Sequence, residues 1–261
     1  MSGPGHSLAE TRPSCPHQRF PPNEHTGYSG AASLDSGPHE NLVAWGRIVA
    51  ADQGLLDRLQ RADSWIQAAS DLPPDRMHEA FIFLYIAFNC MYGRRQYEGD
   101  ETQIADDLDS FFTRILTMRE KDAQKSDALL KDALKACQQD AAVLIRDRFL
   151  VNRYWRGNHP PAALQARLNK EAVTALEALA DGDYRKFLSP VFHRIAVLRN
   201  QVMHGCATYG PRSYGRVSLG KALRVLRVLV PAFYQLMRQY GHDMAWDAIP
   251  YPRLGSQQHP R

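Results

Sequence analysis

The residues best suited to chemistry lie in one short segment, VLRNQVMHG, which runs from Val197 to Gly205. Arg199 carries a permanent charge and a planar fork of donors that fits two phosphate oxygens at once. His204 is the residue type most often used to take up or release a proton near neutral pH. Asn200 directly follows the arginine and could orient the imidazole or donate to a phosphate. Together these three residue types could bind a phosphate group and transfer protons beside it.

The spacing of the Arg and the His limits how a helix can present them. Five helical residues turn through roughly 500°, which leaves Arg199 and His204 about 140° apart around the helix axis. Gly205 is a natural place for the helix to end, because glycine readily adopts the left-handed conformation that closes many helices. The two side chains can therefore converge only if the helix ends between them or at the His.

The elements that must position this motif are predicted to be helices throughout. From Leu42 onward, apolar residues recur with a period near 3.6, and no alternating strand pattern bounded by turn signals is found. The second helix contains FIFLYIAF, which is apolar on nearly all sides and belongs in the centre of a bundle. We predict an all-α fold, an antiparallel bundle of six to seven helices. The approximate helices are Gly54–Ala69, Asp75–Tyr92, Gln103–Arg119, Ser126–Leu150, Ala162–Ala180, Tyr184–Met203 and Ser218–Tyr240.

Both ends of the chain differ in composition from the helical part. The first forty residues are rich in Gly, Pro, Ser and His and poor in aliphatic side chains, so burial there cannot offset the entropy cost of ordering. We therefore predict a disordered tail over residues 1–40, one helical domain over 41–245 and a flexible C-terminal tail over 246–261.

Composition narrows the class of protein. The 261-residue chain is 44% hydrophobic and 23% charged, as in an ordinary globular protein, and its net charge of +4 is only a weak hint of an anionic partner. Four singly scattered cysteines indicate a cytoplasmic protein rather than a disulfide scaffold. No segment resembles a secretory signal or a membrane span. No P-loop, dinucleotide-binding glycine pattern, HExxH or zinc cluster occurs in the sequence, so we expect neither a cofactor nor a metal.

The motif resembles the signature of the HEPN superfamily, the higher eukaryote and prokaryote nucleotide-binding domains. In that family an Arg, usually followed by a polar residue, precedes a His by four to six positions near the end of a bundle helix. The upstream FLYIAFNCMYG, the context SPVFHRIAVLRNQVMHG and a closing helix after a glycine-rich turn are also similar. The resemblance implies a metal-independent endoribonuclease in which Arg199, Asn200 and His204 are the catalytic residues.

The resemblance also implies a mechanism and partners. When RNA is cleaved without a metal, one group takes the proton of the 2′-OH, another protonates the leaving oxygen, and the charge at phosphorus is stabilised. A homodimer would line one cleft with two motifs, so that one His204 acts as base and the other as acid. The expected partners are RNA and an antitoxin or defence-system protein, in a toxin–antitoxin or antiphage role. Family toxins often place a Tyr two residues after the His; Cys206 stands there instead, which argues against regulation through such a Tyr.

Two other segments could contact RNA. Arg216 begins a basic face on the last helix. After the fourth helix, basic and aromatic side chains interleave, as on a surface that stacks bases and binds phosphates. These interleaved residues are Arg153, Tyr154, Trp155 and Arg156. In both segments the alternative is structural, with the rings packed on the bundle and the cations solvated. For the whole chain the alternative is a non-catalytic helical module that binds a partner protein or a nucleotide.

Overall fold

The computed structural model describes residues 53–93, 101–122, 124–155, 161–210 and 215–246, and all of them belong to one compact unit. These residues form helices and turns and no strand, which confirms the all-α prediction. The predicted N-terminal tail lies outside the described residues. The helices are α1 (Gln53–Ser70), α2 (Met77–Tyr92), α3 (Glu101–Glu120), α4 (Ser126–Arg146), α5 (Asn152–Trp155), α6 (Pro161–Ala180), α7 (Tyr184–Met203) and α8 (Arg216–Tyr240).

The largest departure from the predicted helices follows α4. The sequence pattern predicts one helix as far as Leu150, but α4 ends at Arg146 and a separate 3-10 turn covers Arg148–Leu150. Asp147 between them has extended backbone angles, and its carboxylate accepts a hydrogen bond from the Phe149 N–H. An Asp side chain that caps a neighbouring N–H offers the backbone an alternative to the helix, which explains the break.

The centre of the bundle is built from α2 and α8. The helix α8 contacts α1, α2, α3 and α4, while α2 also packs along α1. Phe81 and Phe88 of the FIFLYIAF segment are buried, as is Tyr85, and Phe83 is half-buried. The central position predicted for this segment is therefore confirmed. None of the described helices is long and apolar enough to cross a membrane.

Five phenylalanines from four helices form an aromatic cluster in the core. Phe88 of α2 lies 4.4 Å from Phe192 of α7, measured between ring centroids, and Phe112 of α3 lies 5.2 Å from Phe192. Phe233 of α8 lies 5.7 Å from Phe111 of α3 with their planes nearly perpendicular. These separations are those of favourable ring pairs. The cluster fixes α7 against the centre of the bundle.

The helix α7, which carries the motif, begins and ends where local chemistry favours it. Asp183 caps its first turn, because the Asp side chain accepts the Lys186 N–H. Phe187, Phe192 and Leu198 are buried on the face toward the core. Trp246, the first residue of the predicted C-terminal tail, is also buried, and its indole N–H donates to the Gly241 carbonyl at 2.8 Å. The remaining residues of that predicted tail lie outside the described ones.

Candidate active site at the end of helix α7

His204 is the C-cap residue of α7, and a closed hydrogen-bonded turn follows it. Gly205 has a φ of 73°, the left-handed region that glycine adopts without steric cost. The Cys206 N–H bonds to the Gln201 carbonyl at 2.8 Å, and the Gly205 N–H bonds to the Val202 carbonyl at 3.4 Å. This pair of bonds is the Schellman arrangement that closes many helices. The helix therefore ends at the motif, as predicted, and leaves the His204 side chain exposed.

Arg199 lies on a different side of α7, toward α2. Its guanidinium carbon stands 5.1 Å from the ring centroid of Tyr85, within the range of a cation–π contact. Tyr85 is only 5% exposed, so this ring is a rigid support for the charged group. Burial raises the pKa of Tyr85, and the nearby Arg199 charge opposes that rise. The described residues provide no carboxylate partner for Arg199.

Asn200 contacts Arg199 and also lines the concavity that contains His204. Its side-chain oxygen accepts a hydrogen bond from Nη1 of Arg199 at 2.9 Å. Asn200 and His204 are four residues apart on one face, and both line an open concavity of about 300 Å³. Arg199 is absent from the described residues that line this concavity. Within one chain, the structure thus brings His204 together with Asn200, while Arg199 reaches the site only through Asn200.

The wall of the concavity contains Gln201, which the sequence did not point to, and Asn152, which borders the interleaved basic and aromatic segment. Asn152 at the start of α5 and Gln201 of α7 line it beside the motif. The Gln201 amide donates to the Phe149 carbonyl at 2.7 Å and so fixes the 3-10 turn against α7. The signal available in the sequence was the spacing of Gln201, which precedes His204 by three positions on the helix.

A second concavity adjoins the first and contains Arg216. It has a volume of about 340 Å³ and shares Leu198 and Gln201 with the concavity that holds His204. Arg216 and Ser218, in the first turn of α8, line it from the other side. Asp147 also lines it and accepts a hydrogen bond from the Ser218 hydroxyl. Arg216 therefore lies near the motif, with a carboxylate in the same wall.

The interleaved basic and aromatic segment is only partly described. Tyr154 packs edge-on against Phe149, with ring centroids 5.0 Å apart, and the Arg148 guanidinium stands over both rings. This contact corresponds to the structural alternative for Tyr154. Arg156 and the side chains of Arg153 and Trp155 lie outside the described residues, so their predicted contacts with RNA stay predictions.

A loop beyond the motif is anchored to the start of α2. The Tyr209 hydroxyl donates to Glu79 Oε1 at 2.9 Å, and Arg76 contacts the same carboxylate oxygen at 2.6 Å. The Tyr209 ring also lies 5.0 Å from that of His78. These contacts restrain the loop that follows His204.

The described residues hold no cluster of His, Cys, Asp or Glu that could bind a metal ion. The polar groups that line the concavity are the His204 imidazole, the Cys206 thiol and side-chain amides, and the Arg199 guanidinium bonds to one of these amides, that of Asn200. Comparisons of the chain with protein-family models, with curated proteins and with solved structures found no match.

Proposed function

We propose that this protein is a metal-independent endoribonuclease of the HEPN type. The observation that carries the proposal is the end of α7: His204 is exposed in an open concavity, and Asn200 lines the same wall while bonding to Arg199. A proton-transfer group, an amide and a permanent cation thus lie within about one and a half turns of a helix. These are the groups that phosphodiester cleavage through a 2′-OH requires.

The proposed reaction uses two acid–base groups, one that takes up a proton and one that donates a proton. A base takes the proton of the 2′-OH, and the 2′-oxygen bonds to phosphorus. The bond from phosphorus to the 5′-oxygen breaks, and an acid donates a proton to that oxygen. The products are a 2′,3′-cyclic phosphate and a 5′-hydroxyl. Arg199 and Asn200 would stabilise charge on the phosphoryl oxygens.

One chain offers one His204, so the proposal includes a homodimer that brings two motifs to one cleft. One imidazole would act as base and the other as acid. Exposed apolar side chains near the motif support self-association: Met203 is 58% exposed and Val217 is 71% exposed. Single exposed apolar residues are common, but two close to the site are consistent with a covered surface. Light scattering across a concentration series tests this, and a strict monomer at micromolar concentration contradicts it.

The biological setting we propose is a cytoplasmic toxin–antitoxin or antiphage role, with an antitoxin or defence-system protein as partner. A second candidate function is a non-catalytic helical module that binds a partner protein or a nucleotide. The observation that favours this alternative is the direction of Arg199, which packs over the Tyr85 ring instead of lining the concavity with His204. Cleavage assays separate the two functions.

The decisive experiment incubates the purified protein with single-stranded RNA in the presence of EDTA. We expect cleavage that yields a 2′,3′-cyclic phosphate or its 3′-phosphate product. RNA with a 2′-deoxy sugar at the cut position should resist, because it lacks the nucleophile. In His204→Ala the rate should fall by about 10²–10⁴, the usual contribution of general acid–base catalysis.

The matched control is His242→Ala, which removes another exposed histidine from a 3-10 turn far along the chain from the motif. That variant should cleave RNA at the wild-type rate. Cleavage retained in His204→Ala, or cleavage abolished by EDTA, would overturn the proposed mechanism.

A further inference from the structure

A wide groove lies between α6 and α7, outside the concavity that holds His204. Its volume is about 520 Å³, which is within the range of ligand-binding clefts. Cations line it from both helices: Arg167 and Lys170 from α6, and Lys186 from α7. Thr174 and Ser189 add hydroxyl groups to the same wall. The groove therefore offers several donors to an anion.

Two carboxylates, Glu171 in the groove wall and Asp183 beside it, are already paired. Glu171 bonds to Arg194 at 2.7 Å, and Asp183 bonds to Lys186 at 2.7 Å. Within the described part of the chain, Arg167 and Lys170 form no ion pair. Two positive charges are thus left over at this surface. A negatively charged ligand would complement them.

His193 completes the groove with a group of a different kind. Burial lowers its pKa, and the neighbouring Arg194 charge lowers it further. A lowered pKa favours the neutral imidazole, which can both accept and donate a hydrogen bond. A sugar hydroxyl or a base edge suits such a group better than a second phosphate does.

The groove and the motif share one stripe of α7. The groove is lined by Lys186, Pro190 and His193, and the concavity by Asn200 and His204. These residues follow one another at helical spacings of three and four or their sums. His204 lies eleven positions after His193, a rise of about 16 Å with a turn of only about 20° around the axis. A strand that crosses the motif along this face would therefore reach the groove.

We propose that the α6–α7 groove binds the backbone of the same single-stranded RNA that is cut at His204. Arg167 and Lys170 contact its phosphates, and His193 contacts a sugar or a base. This inference rests on the proposed ribonuclease function for its choice of ligand. Positively charged grooves that follow the backbone are the usual means of binding single strands without strong sequence preference.

The test measures binding separately from cleavage. Full-length protein with His204→Ala is titrated into a fluorescein-labelled single-stranded RNA of about 12 nucleotides, within the site sizes of single-strand binding grooves. Arg167→Gln with Lys170→Gln should weaken binding for all sequences. The slope of log affinity against log salt should become shallower by about 1.4, because each lost phosphate contact accounts for about 0.7.

The matched control is Lys131→Gln with Lys135→Gln. These two lysines are exposed on α4, line neither concavity nor groove, and change the net charge by the same amount. The control should retain the parent affinity and slope. Equal affinities and slopes for the two double variants would overturn the groove proposal. Displacement of the RNA by adenosine monophosphate at comparable concentration would also overturn it, since that result indicates a site for a small phosphate.

A kinetic measurement separates failure of the groove proposal from failure of the ribonuclease function on which it rests. In protein that retains His204, the Arg167 and Lys170 substitutions should raise KM for the long RNA and leave kcat unchanged. Cleavage of a dinucleotide, which is too short to reach the groove, should be unaffected. If the wild type cleaves no RNA, the proposed function fails, while the binding titration still decides whether the groove holds a strand.

Discussion

From Tyr184 to Leu198, α7 buries eight side chains in the bundle, whereas every residue from Arg199 to His204 is half-buried or exposed. The first region is held by ring packing and burial. The second is held by a helix end, a cation–π contact and two side-chain hydrogen bonds, one at Asn200 and one at Gln201. Stability and chemistry therefore depend on different parts of one helix. Substitutions in the first region should change folding, and substitutions in the second should change activity with little effect on folding.

The largest effect is expected in the buried region. Phe192 touches the rings of Phe88, Phe112 and Phe233 and is 1% exposed. Phe192→Ala removes that packing and leaves a cavity, so the free energy of unfolding should fall by about 3–5 kcal/mol. Urea denaturation followed by circular dichroism measures the loss. Val173→Ala, at a position of α6 that is 47% exposed, is the control and should change stability by less than about 0.5 kcal/mol.

In the exposed region we expect the opposite pattern for Arg199. Arg199→Ala and Arg199→Lys should each lower the RNA cleavage rate by about 10²–10³, the usual effect of losing one preorganised charge donor. Lysine fails because a point charge cannot replace a planar fork. Loss of the contact with Tyr85 should cost only about 0.5–1 kcal/mol of stability. Wild-type cleavage by Arg199→Lys would show that charge alone suffices at this position.

Most of the fold was predictable from the sequence because its signals are local. The periodic apolar residues mark seven long helices, and α7 runs from Tyr184 to Met203 and closes at Gly205, as predicted. The break after α4 was missed because an extended Asp147 interrupts a pattern that otherwise continues to Leu150.

The residues of the candidate site can be chosen from the sequence, and their catalytic role stays a prediction, but their geometry cannot be read from it. The three motif residues are visible in the chain, and the angle between Arg199 and His204 follows from helix geometry. The support that Tyr85 gives Arg199 depends on how α2 packs against α7, which no local pattern contains. The same holds for Asn152, whose place in the concavity with His204 requires the 3-10 turn before it to pack against α7.

A smaller loss of stability is expected at two helix ends that have the same backbone conformation. The α6 and α7 helices both close on a left-handed glycine, Gly182 with a φ of 81° and Gly205 with a φ of 73°. At either position alanine should cost about 1–2 kcal/mol, the strain of a side chain in this conformation. Only Gly205→Ala should also slow RNA cleavage, because only that turn positions His204. Equal loss of cleavage in Gly182→Ala would show that activity simply follows stability.

The smallest effect is expected at an ion pair on the outer edge of the bundle, where α4 meets α8. Asp140 accepts from Arg224 at 2.6 and 3.1 Å and pairs with Lys221 at 2.7 Å. The hydrogen bond from Arg224, and then that from Lys221, lowers the pKa of Asp140 in the folded protein. A lowered pKa stabilises the fold at pH values above the unfolded pKa of about 3.9, and this stabilisation disappears as the pH falls through the folded value.

Asp140→Asn should therefore reduce the free energy of unfolding by no more than about 1 kcal/mol at pH 7, because Arg224 is largely exposed and solvent screens the pair. The gap between the variant and the wild type should close as the pH falls below about 4. Parallel urea titrations at pH 7 and at acid pH measure both gaps. Since neither Asp140 nor its two partners line the concavity that holds His204, RNA cleavage at pH 7 should be unchanged. A gap that persists at acid pH would mean that Asp140 acts through its shape and its hydrogen bonds instead of its charge.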